Sequence, residues 1–159
     1  MKIASYILTS IALLWHGLAP CQVITEAPKI TWINMGGSDC PPCLVWRSLE
    51  LPKLRAHPDF KDVQFVHVEK SVKSAVPPRF FLPAEAVPYK AKLDAASGGM
   101  SGSPQVAVLV NGEIYDYFFG TKSADEVLQM IRSIRTGTLY PYERCIQRRD
   151  SRHCVVKGN

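Results

Sequence analysis

Cys40-Pro41-Pro42-Cys43 decides how this chain is read. It lies between two contrasting stretches. Ile30–Met35 is a short apolar run with Trp32 that ends at Gly36-Gly37 and reads as a buried strand; Leu44–Ala56 carries Val45, Leu49, Leu51 and Leu54 at helical spacing. Two thiols two residues apart can close a disulfide ring across the first turn of such a helix. The helix N-terminus offers a sulfur at Cys40 about half a positive charge and unpaired backbone N–H groups. Cys43, one turn in, is shielded and placed to attack a mixed disulfide formed at Cys40. Cys40 is therefore the expected nucleophile, accessible and partly ionised, and Cys43 the resolving thiol. Proline suits the first turn, where its missing N–H has no intrahelical partner to lose. Pro42 nevertheless withdraws a donor from the Cys40 sulfur, and the neighbouring Asp39 opposes a thiolate charge. A less stabilised thiolate makes a less oxidising couple, so the motif leans towards a reductant or isomerase.

Outward from the motif, Pro52 is expected to kink or end the helix early. Val63–Val68 is rich in β-formers and reads as a second strand. Ser71–Gly102 contains Pro77, Pro78, Pro83 and Pro88 with little periodicity, and reads as a loop holding one short helix around Tyr89–Ala96. Val106–Val110 and Ile114–Phe119 are strands joined by Asn111-Gly112, the strongest two-residue hairpin signal. Ser123 caps a last helix, Glu126 completes a capping box, and Leu128, Ile131 and Ile134 carry the helix to Gly137.

The strand before Cys40-Pro41-Pro42-Cys43, Gly102-Ser103-Pro104 ahead of another strand, the Asn111-Gly112 hairpin and the final amphipathic helix resemble the thioredoxin family over about Thr31 to Ile134. Ser103 to Ile114, followed by Phe119-Gly120, is similar to the second half of that family almost position by position. The resemblance implies an α/β, thioredoxin-like fold, a central mixed β-sheet flanked by helices. It also implies that the Ser103–Pro104 bond is cis, lies against the active disulfide and lets Ser103 pair its backbone with substrate. Ser103 and Pro104 are thus the expected substrate-binding residues; only about 5–6% of X–Pro bonds are cis, so local sequence does not supply this. The chain departs from the family in three places. Asp39 replaces the Trp that often precedes the first cysteine, and Gly36-Gly37-Ser38 lengthens the loop. Asn34 stands where thioredoxins bury a proton-accepting Asp, with Glu69 a substitute acid or simply a solvated one. The long Ser71–Gly102 segment is a lid, a docking surface or an insertion.

The 159 residues are 47% apolar and 21% charged, which excludes a disordered or collagen-like chain and suits one domain. A net charge of +5, spread along the chain, gives no reason to expect nucleic acid as a partner. Met1-Lys2, the apolar Ile3–Trp15 and Gly17-Leu18-Ala19 read as a secretory signal peptide, the run being short of the roughly 20 residues that span a bilayer. The expected organisation is signal 1–19, linker 20–28, thioredoxin-like domain 29–136 and basic extension 137–159. Export to an oxidising compartment, periplasmic or secreted, follows. Leu18-Ala19-Pro20-Cys21 also looks like a degraded lipoprotein box, so membrane contact is expected only through lipidation of Cys21 or an uncleaved signal.

Cys145 and Cys154 sit in a tail with Arg144, Arg148, Arg149, Arg152 and Lys157 that reads as a solvated face. They are expected to form a structural disulfide closing a loop of about 10 residues, worth about 2–3 kcal/mol. A second redox pair relaying electrons to Cys40 and Cys43 is one alternative. A zinc site of all four thiols is another, against which the Cys145/Cys154 spacing argues. His57, His67 and His153 are dispersed and read as surface or packing residues, so no metal site is expected. Trp46 reads as core or rim; Phe80-Phe81 is either an apolar substrate surface or a pair of buried loop anchors. The expected function is an exported thiol–disulfide oxidoreductase acting on protein substrates through Cys40 and Cys43, fed by an upstream electron donor, with no dissolved cofactor. The alternatives are a binding or accessory module with a structural disulfide, and a zinc-binding protein.

Overall fold

All six residues of β1 (Ile30–Met35) are buried, the pattern of a strand covered on both faces. In the computed structural model, which describes residues 26–149 and 154–155, β1 is central. It pairs in parallel with β2 (Gln64–Val68) and antiparallel with β3 (Gln105–Val110), which continues antiparallel into β4 (Glu113–Phe119). The sheet order is β2-β1-β3-β4. Alternate side chains face opposite layers. Ile30, Trp32, Val106, Val108 and Phe118 meet Trp46, Leu51 and Leu54 of α1 (Pro41–Ala56) and Val127, Leu128 and Ile131 of α3 (Ala124–Thr136). Ile33, Met35, Val66, Val68, Ala107 and Leu109 meet Leu93 and Ala96 of α2 (Lys90–Ser97) on the other side. This mixed four-stranded sheet with three helices is the expected thioredoxin-like fold.

Local signals account for most of the elements. Asn111 and Gly112 adopt φ of 51° and 82°, the left-handed pair that a type I′ turn requires. Ser123 and Glu126 form a reciprocal capping box, and the left-handed Gly137 ends α3. The short helix of the long loop lies at Lys90–Ser97, one residue along from its expected place. Pro52 does not end α1, which runs on to Ala56. Leu51 and Leu54 are buried on either side of it, and their packing offsets the hydrogen bond that proline removes.

The described part of the basic tail packs on the sheet around Cys145 instead of forming only a solvated face. β5 (Arg144–Cys145) pairs with β6 (Cys154–Val155), and Cys145 is bonded to Cys154 and fully buried. The Cys145 N–H donates to Asp116 Oδ1 at 2.8 Å, the Arg148 N–H to the Ala96 carbonyl at 2.9 Å, and the Arg144 guanidinium stacks 4.3 Å over the Tyr115 ring. Residues 1–25, with the expected signal and Cys21, and Arg152, His153 and Lys157 of the tail lie outside the described residues. No helix among the described residues is long and apolar enough to cross a membrane.

Asp116 is 1% exposed, and its Oδ2 has no hydrogen-bond partner among the described residues. Burial pushes its carboxyl from 3.8 up to about 6, against the pull of the Cys145 N–H and the Lys122 and Arg148 charges. Between these values the folded state holds a proton that the unfolded chain has lost. The group's contribution to stability is therefore full at low pH and is lost as pH rises through 6. Asp116→Asn removes this titration. Wild-type Tm should fall relative to the variant's between about pH 4 and pH 7, by the equivalent of up to about 3 kcal/mol; parallel pH profiles would show that Asp116 does not titrate in that window.

Candidate active site

Cys40 closes the β1–α1 loop as the N-cap of α1, with extended backbone (φ −119°, ψ 91°). Its Sγ accepts the Cys43 N–H at 3.3 Å, and its carbonyl accepts the Leu44 N–H at 3.1 Å. Pro41 and Pro42 fill the first two helical positions and donate nothing, so the sulfur has Cys43 as its first-turn donor. That turn carries no acidic residue. Cys40 is bonded to Cys43, with the Cα atoms 5.2 Å apart.

Neither sulfur is accessible in this oxidised state: Cys40 is 0% exposed and Cys43 1%. That corrects the expectation of an exposed attacking sulfur. The two prolines turn outwards and carry the surface of the turn, while the sulfurs face inwards. A Cβ on Gly36 would overlap Cys43 Sγ, and would lie 3.3 Å from Cys43 Cβ and 3.8 Å from Ser103 Cβ. Glycine at the end of β1 therefore lets the disulfide and the Ser103 loop approach one another.

The Ser103–Pro104 peptide is cis, as the family resemblance implies. The Pro104 carbonyl accepts the Gly120 N–H at 2.9 Å, which ties it to the end of β4. Among the described residues, the backbone N–H and C=O of Ser103 have no partner. Beneath them a buried polar network fixes the loop. The Tyr117 hydroxyl donates to Gln105 Oε1 at 2.5 Å, and Gln105 Nε2 donates to the Met100 carbonyl at 3.1 Å and the Gly102 carbonyl at 2.9 Å.

Lys70, just past β2 and 5% exposed, adds a charge to this network. Its Nζ donates to the Gly102 carbonyl at 2.6 Å, Ser103 Oγ at 3.1 Å and the Ser71 carbonyl at 3.3 Å. Burial pulls its amine down to about 8, opposed by the Asp39 charge. Asp39 in turn accepts from Ser71 Oγ at 2.6 Å and the Val72 N–H at 3.1 Å; these bonds hold its carboxyl below the usual range. Glu69 accepts the Ser38 N–H at 3.1 Å, but its side chain is 63% exposed and shared with His67 and Arg47. It is a solvated acid rather than a buried one. Asn34 is buried beside His67 and Val106, and its Oδ1 has no partner among the described residues.

Trp46 and His57 make their hydrogen bonds to residues other than Cys40, Cys43, Ser103 and Pro104. Trp46 is buried and donates to the Lys122 carbonyl at 2.7 Å, a packing role. His57 lies with Asp59 and Arg132. Phe80 and Phe81 are 80% and 63% exposed and lie against each other, so they are not buried anchors. The four thiols of the zinc alternative are bonded two by two, and a disulfide sulfur lacks the charge a zinc ligand needs. Glu143, Cys145 and Cys154 place ligand-type atoms within 4.8 Å of one another, available to a cation only after reduction. Sequence reasoning missed Lys70 and Ser71, which carry no motif, and the role of Gly36, for which the Gly36-Gly37 pair was a signal.

Gly36→Ala should push a methyl into Cys43 Sγ. We expect the oxidised variant to lose about 1–3 kcal/mol in denaturant unfolding, with a smaller loss once the Cys40–Cys43 bond is reduced and the sulfurs can part. Equal losses in both states would place the clash elsewhere.

No protein-family model and no curated protein matches the chain. Among solved structures, it is similar to the N-terminal domain of PilB from Neisseria gonorrhoeae (17% identity, TM-score 0.45, covering 67% of this chain and 78% of that one). It is also similar to the reduced C-terminal domain of DsbD from Neisseria meningitidis (17%, TM-score 0.42, 69% and 84%) and to a mutant thioredoxin from Halobacterium salinarum (17%, TM-score 0.41, 67% and 75%). The chain's own strand order, with a bonded Cys40–Cys43 pair at the start of α1, is what makes the fold thioredoxin-like.

Proposed function

We propose that the chain is an exported thiol–disulfide oxidoreductase that reduces or isomerises disulfides in protein substrates. The observation that carries this reading is a closed Cys40–Cys43 disulfide at a helix N-terminus, beside a cis Ser103–Pro104 peptide whose Ser103 backbone is unpaired among the described residues. In the reduced protein, the Cys40 thiolate attacks one sulfur of the substrate disulfide. That bond breaks, and the other sulfur leaves as a thiolate and takes a proton. The Cys43 thiolate then attacks Cys40 Sγ and expels the second substrate sulfur. Two electrons have passed to the substrate, Cys40 and Cys43 end as the disulfide, and a dithiol donor must restore them. Export is supported by the leader-like 1–19 stretch and by the Cys145–Cys154 disulfide, a structural bond of the kind that persists in oxidising compartments such as the periplasm or the cell exterior.

The burial of both sulfurs favours a second reading, an accessory module in which Cys40–Cys43 is a permanent structural bond. Turnover separates the two. With dithiothreitol as donor, the wild type should reduce insulin disulfides, Cys40→Ser should abolish this, and Cys43→Ser should accumulate a mixed disulfide with its substrate. A wild type that is inert, with a Cys40–Cys43 bond resistant to dithiothreitol, establishes the structural reading. Equilibration with glutathione should place the couple on the reducing side of dedicated oxidants; a potential as high as theirs would overturn the assignment of direction.

A further inference from the structure

Lys70 is a buried cation with no part in either hydrophobic layer. Its surroundings are all site components: the Gly102 carbonyl, Ser103 Oγ, and, through the adjoining Ser71 and Val72, the Asp39 carboxylate next to Cys40. The Gly102 carbonyl already accepts from Gln105, so the contact that Lys70 alone supplies is the one to the Ser103 hydroxyl. With its amine at about 8, Lys70 is mostly ammonium at neutral pH, and bonds from a charged donor are about twice as strong as neutral ones. The peptide it holds is the one whose N–H and C=O are unpaired among the described residues, a short edge to which extended backbone can add.

We propose that Lys70 is a positioning residue that determines specificity: by clamping Gly102 and Ser103 it holds the Ser103 peptide ready to pair with an extended polypeptide, so the site prefers disulfides carried on protein backbone to small disulfides that have none. This rests on the oxidoreductase reading above. A small disulfide still meets Cys40 but has nothing to lay along Ser103, so Lys70 contributes to one class of substrate and not to the other.

The test compares insulin with 2-hydroxyethyl disulfide at neutral pH, dithiothreitol being the donor. Lys70→Met should lower the ratio of kcat/KM for insulin to that for 2-hydroxyethyl disulfide about tenfold, the size expected for one charge-assisted bond. The change should appear mainly in KM for insulin. A ratio that stays at the wild-type value, whether both activities fall together or neither falls, overturns the proposal. Should Lys70→Met not fold, Ser103→Ala, which removes just the acceptor hydroxyl, must lower the same ratio; an unchanged ratio there is equally fatal. A wild type that reduces neither substrate refutes the oxidoreductase reading itself, which marks that failure off from a failure of the Lys70 assignment.

Discussion

Cys43 Sγ occupies the space that a side chain at Gly36 would need, and this close approach organises the site. Gly36 still belongs to the sheet, because its N–H donates to the Val68 carbonyl at 3.0 Å and extends the β1–β2 pairing by one step. The chain then has three residues, Gly37, Ser38 and Asp39, in which to turn into α1. With no Cβ at Gly36, the first turn of the helix can sit down on the strand end. The disulfide is thereby brought beside the loop that enters β3. Since β1 lies between β2 and β3, the ends of all three strands converge on one pair of sulfurs.

The proposed function requires that this buried disulfide be reached. The polar contacts of the neighbouring segments differ in exposure: Asp39 with Ser71 and Val72, and Ser38 with Glu69, lie at the surface, while Lys70, which bonds Ser103, is buried. Water replaces exposed polar contacts at small net cost. The apolar layers beneath are different, because Trp46, Leu54, Met35 and Val68 lose burial if they move. Local opening at Ser38 and Asp39 therefore costs little compared with any change in the sheet.

What was legible in the sequence follows from how local each signal is. The Asn111-Gly112 turn, the Ser123 and Glu126 box and the cap at Cys40 are each settled within four residues, and all are present. Pro52 misled because its local penalty is overridden by Leu51 and Leu54, which are buried against distant strands. The tail misled for the same reason. Its arginines and modest hydrophobicity look solvated, yet Asp116, some thirty positions earlier, takes the Cys145 N–H and draws the segment in. Lys70 is the extreme case: its partners at 102 and 103 are joined to it through the end of the sheet, and no spacing rule connects them.

The direction of electron flow turns on the balance at Cys40 Sγ. An N-cap acceptor can draw on the N–H groups at the second and third helical positions. Pro42 holds the second, so the Cys43 N–H is left. A bond from such a donor to a charged acceptor is worth about 1.5–3 kcal/mol; the helix dipole, worth up to about 2 kcal/mol at a buried site such as Cys40, acts whether or not that donor is present. The dipole is common to both kinds of first turn and so does not offset the missing donor. Asp39 precedes Cys40 in sequence, but its exposed carboxylate turns to Ser71 and Val72, and water screens its charge from the sulfur. On the oxidoreductase reading proposed above, the lost donor destabilises the reduced, thiolate form relative to the disulfide, and at about 30 mV per 1.4 kcal/mol it is expected to move the couple by roughly 30–60 mV towards the reducing end. A dithiol so placed gives up electrons more readily than one whose first turn keeps both donors.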